Sequence, residues 1–351
     1  MKDKIQIITD ENIEVEAQAP VIISASRSTD IPTFYSEWFK YRWQKGYIKW
    51  INPFNQKPIF VSFKNTKVVV FWTKNPKPMM KKEYISFLQK EVKNFYFQYT
   101  LNNYDIENFE EKVPSVKNRI ETFKELSKLI GKEKVIWRYD PLILTDKIDV
   151  KELLNRIESI GNELYNYTEK LVFSFADIGV YKKVQNNLKA ITYIEFTKET
   201  MEEFAYGLQQ LNQRWKLEIA TCSEKIDLEN FDINHNKCID DELMIKLFPH
   251  ERELMSFLGV EFEERNLFSD NQNITRKSYK LKDKGQRTEC GCITSKDIGQ
   301  YNTCPHGCNY CYANTSKNVA YKNYELSKDN QNRETILPQQ HYTSEVESPL
   351  T

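Results

Sequence analysis

Glycine is scarce in this chain, 10 in 351 residues. None stands in a P-loop or G-x-G-x-x-G pattern, so backbone cradles for nucleotide phosphates are not expected. Net charge is missing too: 50 Lys and Arg are matched by 50 Asp and Glu. That argues against a generic electrostatic grip on nucleic acid and leaves only a local basic groove as a means of binding it. No run of 18 apolar residues occurs, so no helix is expected to enter a membrane. The opening MKDKIQIITDENIEVEAQ has neither a continuous apolar stretch nor a small-residue cleavage site. The expectation is a cytoplasmic protein, in a compartment that keeps thiols reduced.

What the chain does have is cysteine, concentrated in one place. Five of its seven cysteines fall in TECGCITSKDIGQYNTCPHGCNYCYAN. Cys304, Cys308 and Cys311 stand at C-x3-C-x2-C spacing, with Cys290 and Cys292 upstream. Such a cluster without secretory features points to a metal or iron–sulfur site rather than a disulfide framework. A loop containing Pro305 and Gly307 can turn three thiolates toward one centre, which a helix cannot. A zinc knuckle stays open beside an iron–sulfur cluster, with His306 as a zinc ligand, because thiolates serve both metals. The other four, Cys222, Cys238, Cys290 and Cys292, form a complete set for a second cluster or a zinc ion. Alternatively, Cys290 or Cys292 closes the first site, and Cys222 and Cys238 are ordinary buried thiols.

Six short apolar runs alternate with helical sequence. The expected strands are Val21–Ile23, Lys67–Trp72, Phe95–Leu101, Lys134–Tyr139, Leu171–Phe175 and Lys216–Thr221. Helices are expected at Phe34–Lys45, Met80–Val92, Ser115–Ile130, Lys151–Leu164 and over much of Tyr181–Leu211, with a hairpin or loop at Tyr47–Phe63. Short helices are expected at Asp240–Phe248 and His250–Leu258. This alternation is the mark of parallel β/α architecture. Polar residues finish nearly every strand and no glycine turn follows the first, which favours a partial (β/α)6 TIM-like barrel over a doubly wound sheet. The expected organisation is an N-terminal segment (1–20), the barrel core (21–226), a helical and polar connection (227–289), a cysteine-rich cluster-binding segment (290–318), and a polar tail (319–351) expected to be disordered near its end.

In a barrel the strand C-termini carry the chemistry. Arg27 and Asp30 follow the first strand, as an anion-binding fork or a structural ion pair. Lys74 and Asn75 follow the second, as contacts to cofactor or substrate or as loop-fixing residues. Arg138 and Asp140 in WRYDP pose the same choice. Asp177 is a substrate contact or a helix N-cap. A barrel hydrolase or lyase using Arg27, Asp30, Arg138, Asp140 and Asp177, with purely structural metal, is one alternative function. A non-catalytic zinc or closed-cluster protein is another.

The string YNTCPHGCNYCYAN resembles the cluster loop of radical S-adenosylmethionine enzymes, most closely the spore photoproduct lyase group. The resemblance implies a [4Fe-4S] cluster on Cys304, Cys308 and Cys311, S-adenosylmethionine at its open iron, and Tyr310 and Tyr312 shielding the cluster and touching adenine. It also implies an electron donor such as flavodoxin or ferredoxin, and raises nucleic acid or a nucleotide as a substrate class. Together with SASRSTDIP, FWTKNPKP, WRYDPL, FSFAD and ATCSE, the loop also resembles domain-of-unknown-function family 1848. Two departures stand out. The cluster loop of radical enzymes follows the first strand, whereas here it follows all six. No G-G-E-type segment, which would hold the methionine amine, follows the second strand.

Overall fold

The computed structural model describes residues 3–180, 182–189, 191–262, 274–276, 281–328 and 331–337. The chain opens on β1 (Lys4–Ile8) and β2 (Glu14–Gln18), then β3 (Ile22–Ala25), α1 (Ile31–Phe34), α2 (Ser36–Lys45), β4 (Tyr47–Ile51) and β5 (Pro58–Ser62). Next come β6 (Val68–Thr73), α3 (Lys82–Phe87), β7 (Phe95–Thr100), α4 (Val116–Ile130), β8 (Val135–Leu142), β9 (Leu144–Thr145), α5 (Val150–Leu164) and β10 (Lys170–Phe175). Then follow α6 (Lys182–Asn187), β11 (Tyr193–Ile194), α7 (Lys198–Trp215), β12 (Glu218–Thr221), β13 (Ile233–His235), α8 (Asp241–Leu247) and α9 (Arg252–Phe257). The last elements are β14 (Val260–Phe262), β15 (Ile274–Arg276), β16 (Lys296–Asp297) and α10 (Lys317–Lys328).

Strands that are apolar at successive positions need cover on both faces, and Val68–Phe71 is buried throughout. The six expected strands, with β13 and β16 added, make an eight-stranded sheet in the order β13-β12-β10-β8-β7-β6-β3-β16. Every neighbouring pair is parallel. From β3 to β13 the spatial order follows the chain, without the reversal of a doubly wound sheet. Closure into the expected barrel is not confirmed: β13 and β16 are the two edges, and no ladder among the described residues joins them.

One face of the sheet (Ile23, Val69, Phe71, Phe97, Trp137, Phe173) packs against residues of α2, α4, α5 and α7. The other face (Ile22, Val70, Tyr96, Ile136, Val172) is covered by Met244 of α8, Leu254 and Met255 of α9, and Cys238, Cys290 and Cys292. Strand side chains alternate, so two residues further along that second face carries Ser24, Trp72, Gln98 and Arg138. It turns polar where the strands end.

Several elements depart from expectation. The polar N-terminus forms β1 and β2, which join the hairpin β4–β5 in a separate sheet of order β1-β2-β5-β4. The expected helix at 80–92 is α3 flanked by a 3-10 turn at Lys77–Met80 and a π turn at Leu88–Val92. The expected helix over 181–211 is split by β11. Its second part starts at Lys198 because Thr197 and Thr200 cap each other reciprocally. Residues 317–328 form α10, so order extends into the expected tail; residues 338–351 lie outside the described residues, as does most of 263–280. No helix among the described residues is long and apolar enough to cross a membrane.

Candidate functional site

The loop of Cys304, Cys308 and Cys311 is carried to the C-terminal ends of the strands by β16. Its two residues pair in parallel with Ile23 and Ser24 of β3. Asp297 then accepts hydrogen bonds from Ser24 Oγ (2.9 Å), Ser26 Oγ (2.7 Å), Arg27 N (2.8 Å) and Gly299 N (3.0 Å). A side chain at Gly299 would collide with Ser26, whose Oγ lies 1.8 Å from an ideal Cβ position. Only glycine lets the two backbones approach this closely. The loop is then fastened on its far side. Asn309 N donates to Phe109 O at 2.8 Å, Lys112 N to His306 O at 2.9 Å, and Tyr35 OH to Thr303 O at 2.6 Å.

Beneath the loop lies a buried charge network centred on Glu110. Lys74 Nζ donates to Glu110 at 2.7 Å and Arg119 Nη1 at 2.9 Å. The Tyr310 hydroxyl also donates to Glu110, and it accepts from Lys74 and from Asn102 at 2.9 Å each. Burial works against the Glu110 carboxylate, but Lys74 and Arg119 outweigh it and hold the carboxyl down to about 2. Asp30 caps α1 and accepts from Thr33 N (2.9 Å), Thr73 Oγ1 (2.8 Å) and Lys74 N (2.7 Å). Its fourth partner is His306 Nε2 at 2.8 Å, which with Lys74 holds Asp30 below the usual carboxylate range against burial. His306 Nδ1 is buried with no hydrogen-bond partner. Burial pushes the Cys304, Cys308 and Cys311 thiols up, Cys308 to about 12.

The other four cysteines converge on the second face of the sheet. Cys222 follows β12, and its Sγ lies 3.5 Å from Cys238 Sγ. Cys238 Sγ accepts from Arg138 Nη1 (2.8 Å) and Asn236 Nδ2 (3.0 Å), and Ile239 N donates to Cys292 Sγ (3.4 Å). The Cys292 thiol neighbours both Cys238 and Cys290. Contact with Cys238, aided by Arg138, lowers the Cys222 thiol to about 6. Contacts with Cys238 and Cys290, aided by Arg27, lower Cys292, while Cys238 and Cys290 are raised in turn. Among the described residues, no group of three or more His, Cys, Asp or Glu side chains stands ready to hold a metal ion. No cysteine is in a disulfide.

A continuous polar chain runs from Tyr310 of the loop to Cys238 of the second group. Asn102 Nδ2 donates to Glu110 and to Asp140 O at 3.2 Å each, and Asn102 Oδ1 accepts from Asp140 N at 2.8 Å. The Asp140 carboxylate accepts from Arg138 and from Ser174. Arg138 in turn reaches Cys238.

The structure brings most of the expected residues together but pairs them differently. Arg27 and Asp30 do not meet as a fork: Asp30 belongs to His306, Lys74 and the α1 cap. The Arg27 guanidinium instead lies 5.2 Å from the Trp72 ring, facing Cys292, Asp297 and Cys238. Asn75 shapes its loop, donating from N to Thr73 Oγ1 (3.0 Å) and accepting at O from Thr33 Oγ1 (2.8 Å). Tyr312 is half exposed and donates to Arg27 O at 3.0 Å. Asp177 is exposed beside Arg287 at 3.5 Å. Glu110, Arg119, Asn102 and Asp297 carry no local signature, because their roles depend on partners distant in sequence. Glu224, two residues after Cys222, was equally silent: burial, with Asp177 and Cys222 adding to it, raises its carboxyl to about 8.

A family model described as Domain of unknown function (DUF1848) matches residues 22–313. No curated protein matches the chain. Among solved structures, a protein from Bacteroides thetaiotaomicron VPI-5482 with the provisional description alpha-L-fucosidase shares 14% identity, over 56% of this chain and 74% of that one. Its TM-score of 0.25 gives the likeness no weight for fold or chemistry.

Proposed function

The chain belongs to the DUF1848 family, and on that premise we propose that it is an iron–sulfur enzyme similar to radical S-adenosylmethionine enzymes, with a [4Fe-4S] cluster on Cys304, Cys308 and Cys311. The observation that carries this reading is the place of β16 in the sheet. It stands next to β3, on the side away from β6. β16 is thus the edge strand ahead of β3, and in spatial order the cysteine loop follows this outermost strand, although in chain order it comes last. That position supports reading the chain as a permutation of the radical-enzyme order.

The residues present fit such a group. Three soft thiols on one loop are free of disulfides, Cys308 buried and Cys304 and Cys311 half-buried, and desolvation favours their protonated form unless a cation compensates the thiolates. A cluster held there would supply an electron to a ligand at its open iron, drawn from a donor such as flavodoxin or ferredoxin. The chain's own part is positional. Glu110, through Lys74 and Tyr310, fixes the floor of the loop, and Asp297 fixes its entry. Tyr310 and the Tyr104 ring beside it (6.3 Å between centroids) exclude water from that floor. The strand beside β16 is β3, whose end runs into Ala25-Ser26-Arg27-Ser28 and not into a G-G-E-type segment, so S-adenosylmethionine binding is tested separately from cluster binding.

A second reading is favoured by the unpartnered Nδ1 of His306 with Asp30 on Nε2, the carboxylate–histidine arrangement of many metal ligands. Cys304, Cys308, Cys311 and His306 would then hold structural zinc. Anaerobic purification with iron, sulfide and zinc assays decides between them, followed by EPR of the reduced protein with and without S-adenosylmethionine. The iron–sulfur reading expects about four irons per chain, lost when the three loop cysteines become serine, and a [4Fe-4S]+ signal that changes with the ligand. Zinc without iron, lost on His306→Ala, overturns it in favour of the second.

A further inference from the structure

The remaining four thiols do not belong to the loop, and the structure treats them as a set. They come from three segments: the end of β12, the turn before α8, and the C-G-C step. All four reach the apolar layer that covers the second face of the sheet. Gly291 makes the C-G-C step fit. A Cβ there would stand 2.9 Å from Lys237 Cγ and 3.3 Å from Asn236 O, so glycine lets the C-G-C step lie close against the segment that carries Cys238.

We propose that Cys222, Cys238, Cys290 and Cys292 bind a single zinc ion as a tetrathiolate site, pinning the chain at Gly291 to the sheet just before it enters the cluster loop. Spacing separates this site from a cubane cluster. Ligands of one tetrahedral ion at a Zn–S distance of about 2.3 Å lie about 3.8 Å apart. The Cys222 and Cys238 sulfurs are 3.5 Å apart, and Cys292 neighbours both Cys238 and Cys290. A cubane attaches each thiolate to a different iron and spreads the sulfurs. The thiols are strung in sequence Cys222, Cys238, Cys292, Cys290, and no three of them yet surround one point, so the proposed site requires their side chains to rotate onto one centre when the ion binds.

Charge supplies a second, independent observation. Four thiolates on a divalent ion carry a net double negative charge, and two guanidiniums stand beside this set. Arg138 donates to Cys238 Sγ at 2.8 Å. Arg27 faces Cys292 and Cys238, and its Nη2 is buried with no hydrogen-bond partner. Both guanidiniums lie 5.2 Å from the Trp72 ring, which holds them in place. A half-buried cation with a buried idle donor beside a thiol cluster suits an anionic metal complex.

The test uses the full chain in four forms: the wild type, the triple variant Cys304→Ser/Cys308→Ser/Cys311→Ser, the pair Cys238→Ser/Cys292→Ser, and Cys222→Ser. Zinc, iron and sulfide are measured after dialysis against a chelator. The expected result is about one zinc per chain in the wild type and in the triple variant, and none in the pair. Cys222→Ser should weaken zinc binding more than about 100-fold, beyond the loss typical of a second-shell change. Cobalt added to zinc-free wild type should give tetrahedral ligand-field bands with thiolate charge transfer, altered in Cys222→Ser. That readout serves even if the pair fails to fold. Zinc at background in the wild type, zinc unchanged in the pair, or iron and sulfide bound by these four thiols in the triple variant would each overturn the proposal. Because the triple variant removes only the loop ligands, failure of the cluster reading and failure of this one give different metal contents.

Discussion

Glu110 is the residue on which the surroundings of the loop thiols balance. It is 6% exposed, and the side chains of both cations that pair with it are largely or wholly buried. Replacing it by glutamine leaves Lys74 and Arg119 buried against a neutral group. The expected loss is about 3–5 kcal/mol, the usual cost of breaking a buried pair from one side, read from the denaturant midpoint. The pH dependence follows from the same carboxyl. Its folded value of about 2 lies below the ordinary 4.5, so its contribution is whole above pH 4.5 and is lost as pH falls toward 2. An acid titration of stability should therefore show a limb in that window which Glu110→Gln flattens. If the variant keeps the wild-type slope, Glu110 is not the titrating group.

Among the elements, β16 does more than its two residues suggest. It turns the edge beside β3 into a parallel pairing and places Asp297 where donors from β3, the loop after it and Gly299 converge. Gly299→Ala forces a Cβ into Ser26, and overpacking of this kind costs about 1–3 kcal/mol. The same variant should retain less iron after gel filtration, because displacing Gly299 displaces the loop entry. Wild-type iron retention in a folded Gly299→Ala protein would show that the loop holds its shape without this contact. Thr197→Ala provides the contrast. It removes the cap of α7, on the face away from the four-thiol set, and should cost about 1 kcal/mol while leaving metal content unchanged.

At the scale of the molecule, the eight-stranded parallel sheet has its second face closed by the C-terminal part of the chain. Metal ions bound only by the folded state add to stability by mass action. On the proposed metal binding, chelation should lower the melting temperature, and restoring zinc or iron should raise it with metal concentration. Hydrogen exchange locates the effect: residues 290–314 should lose protection first, while β6, β7 and β8, buried on both faces, keep theirs. Uniform loss of protection across the sheet would mean that the metals hold the entire fold and not one segment.

The six apolar strands and their helices, the C-x3-C-x2-C loop and the complement of four further thiols were all legible from residue order. Each depends on neighbours a few positions away, and local periodicity and spacing record such neighbours directly. The splitting of the helix at β11, the two-residue strand β16 and the two unpaired sheet edges among the described residues were not legible. Lys296–Asp297 is too short to show any period, and its pairing exists because the cysteine segment returns to β3. The site divides in the same way. The residue types at the strand ends were expected there, but their partners were not. Asp30 meets His306 across 276 residues, while Arg27, three residues before Asp30, turns to the other thiols. Which charge meets which depends on the segments that share a buried space. That is settled by packing the chain's two ends against one sheet, because a desolvated charge takes the partner within reach and not the one nearest in sequence.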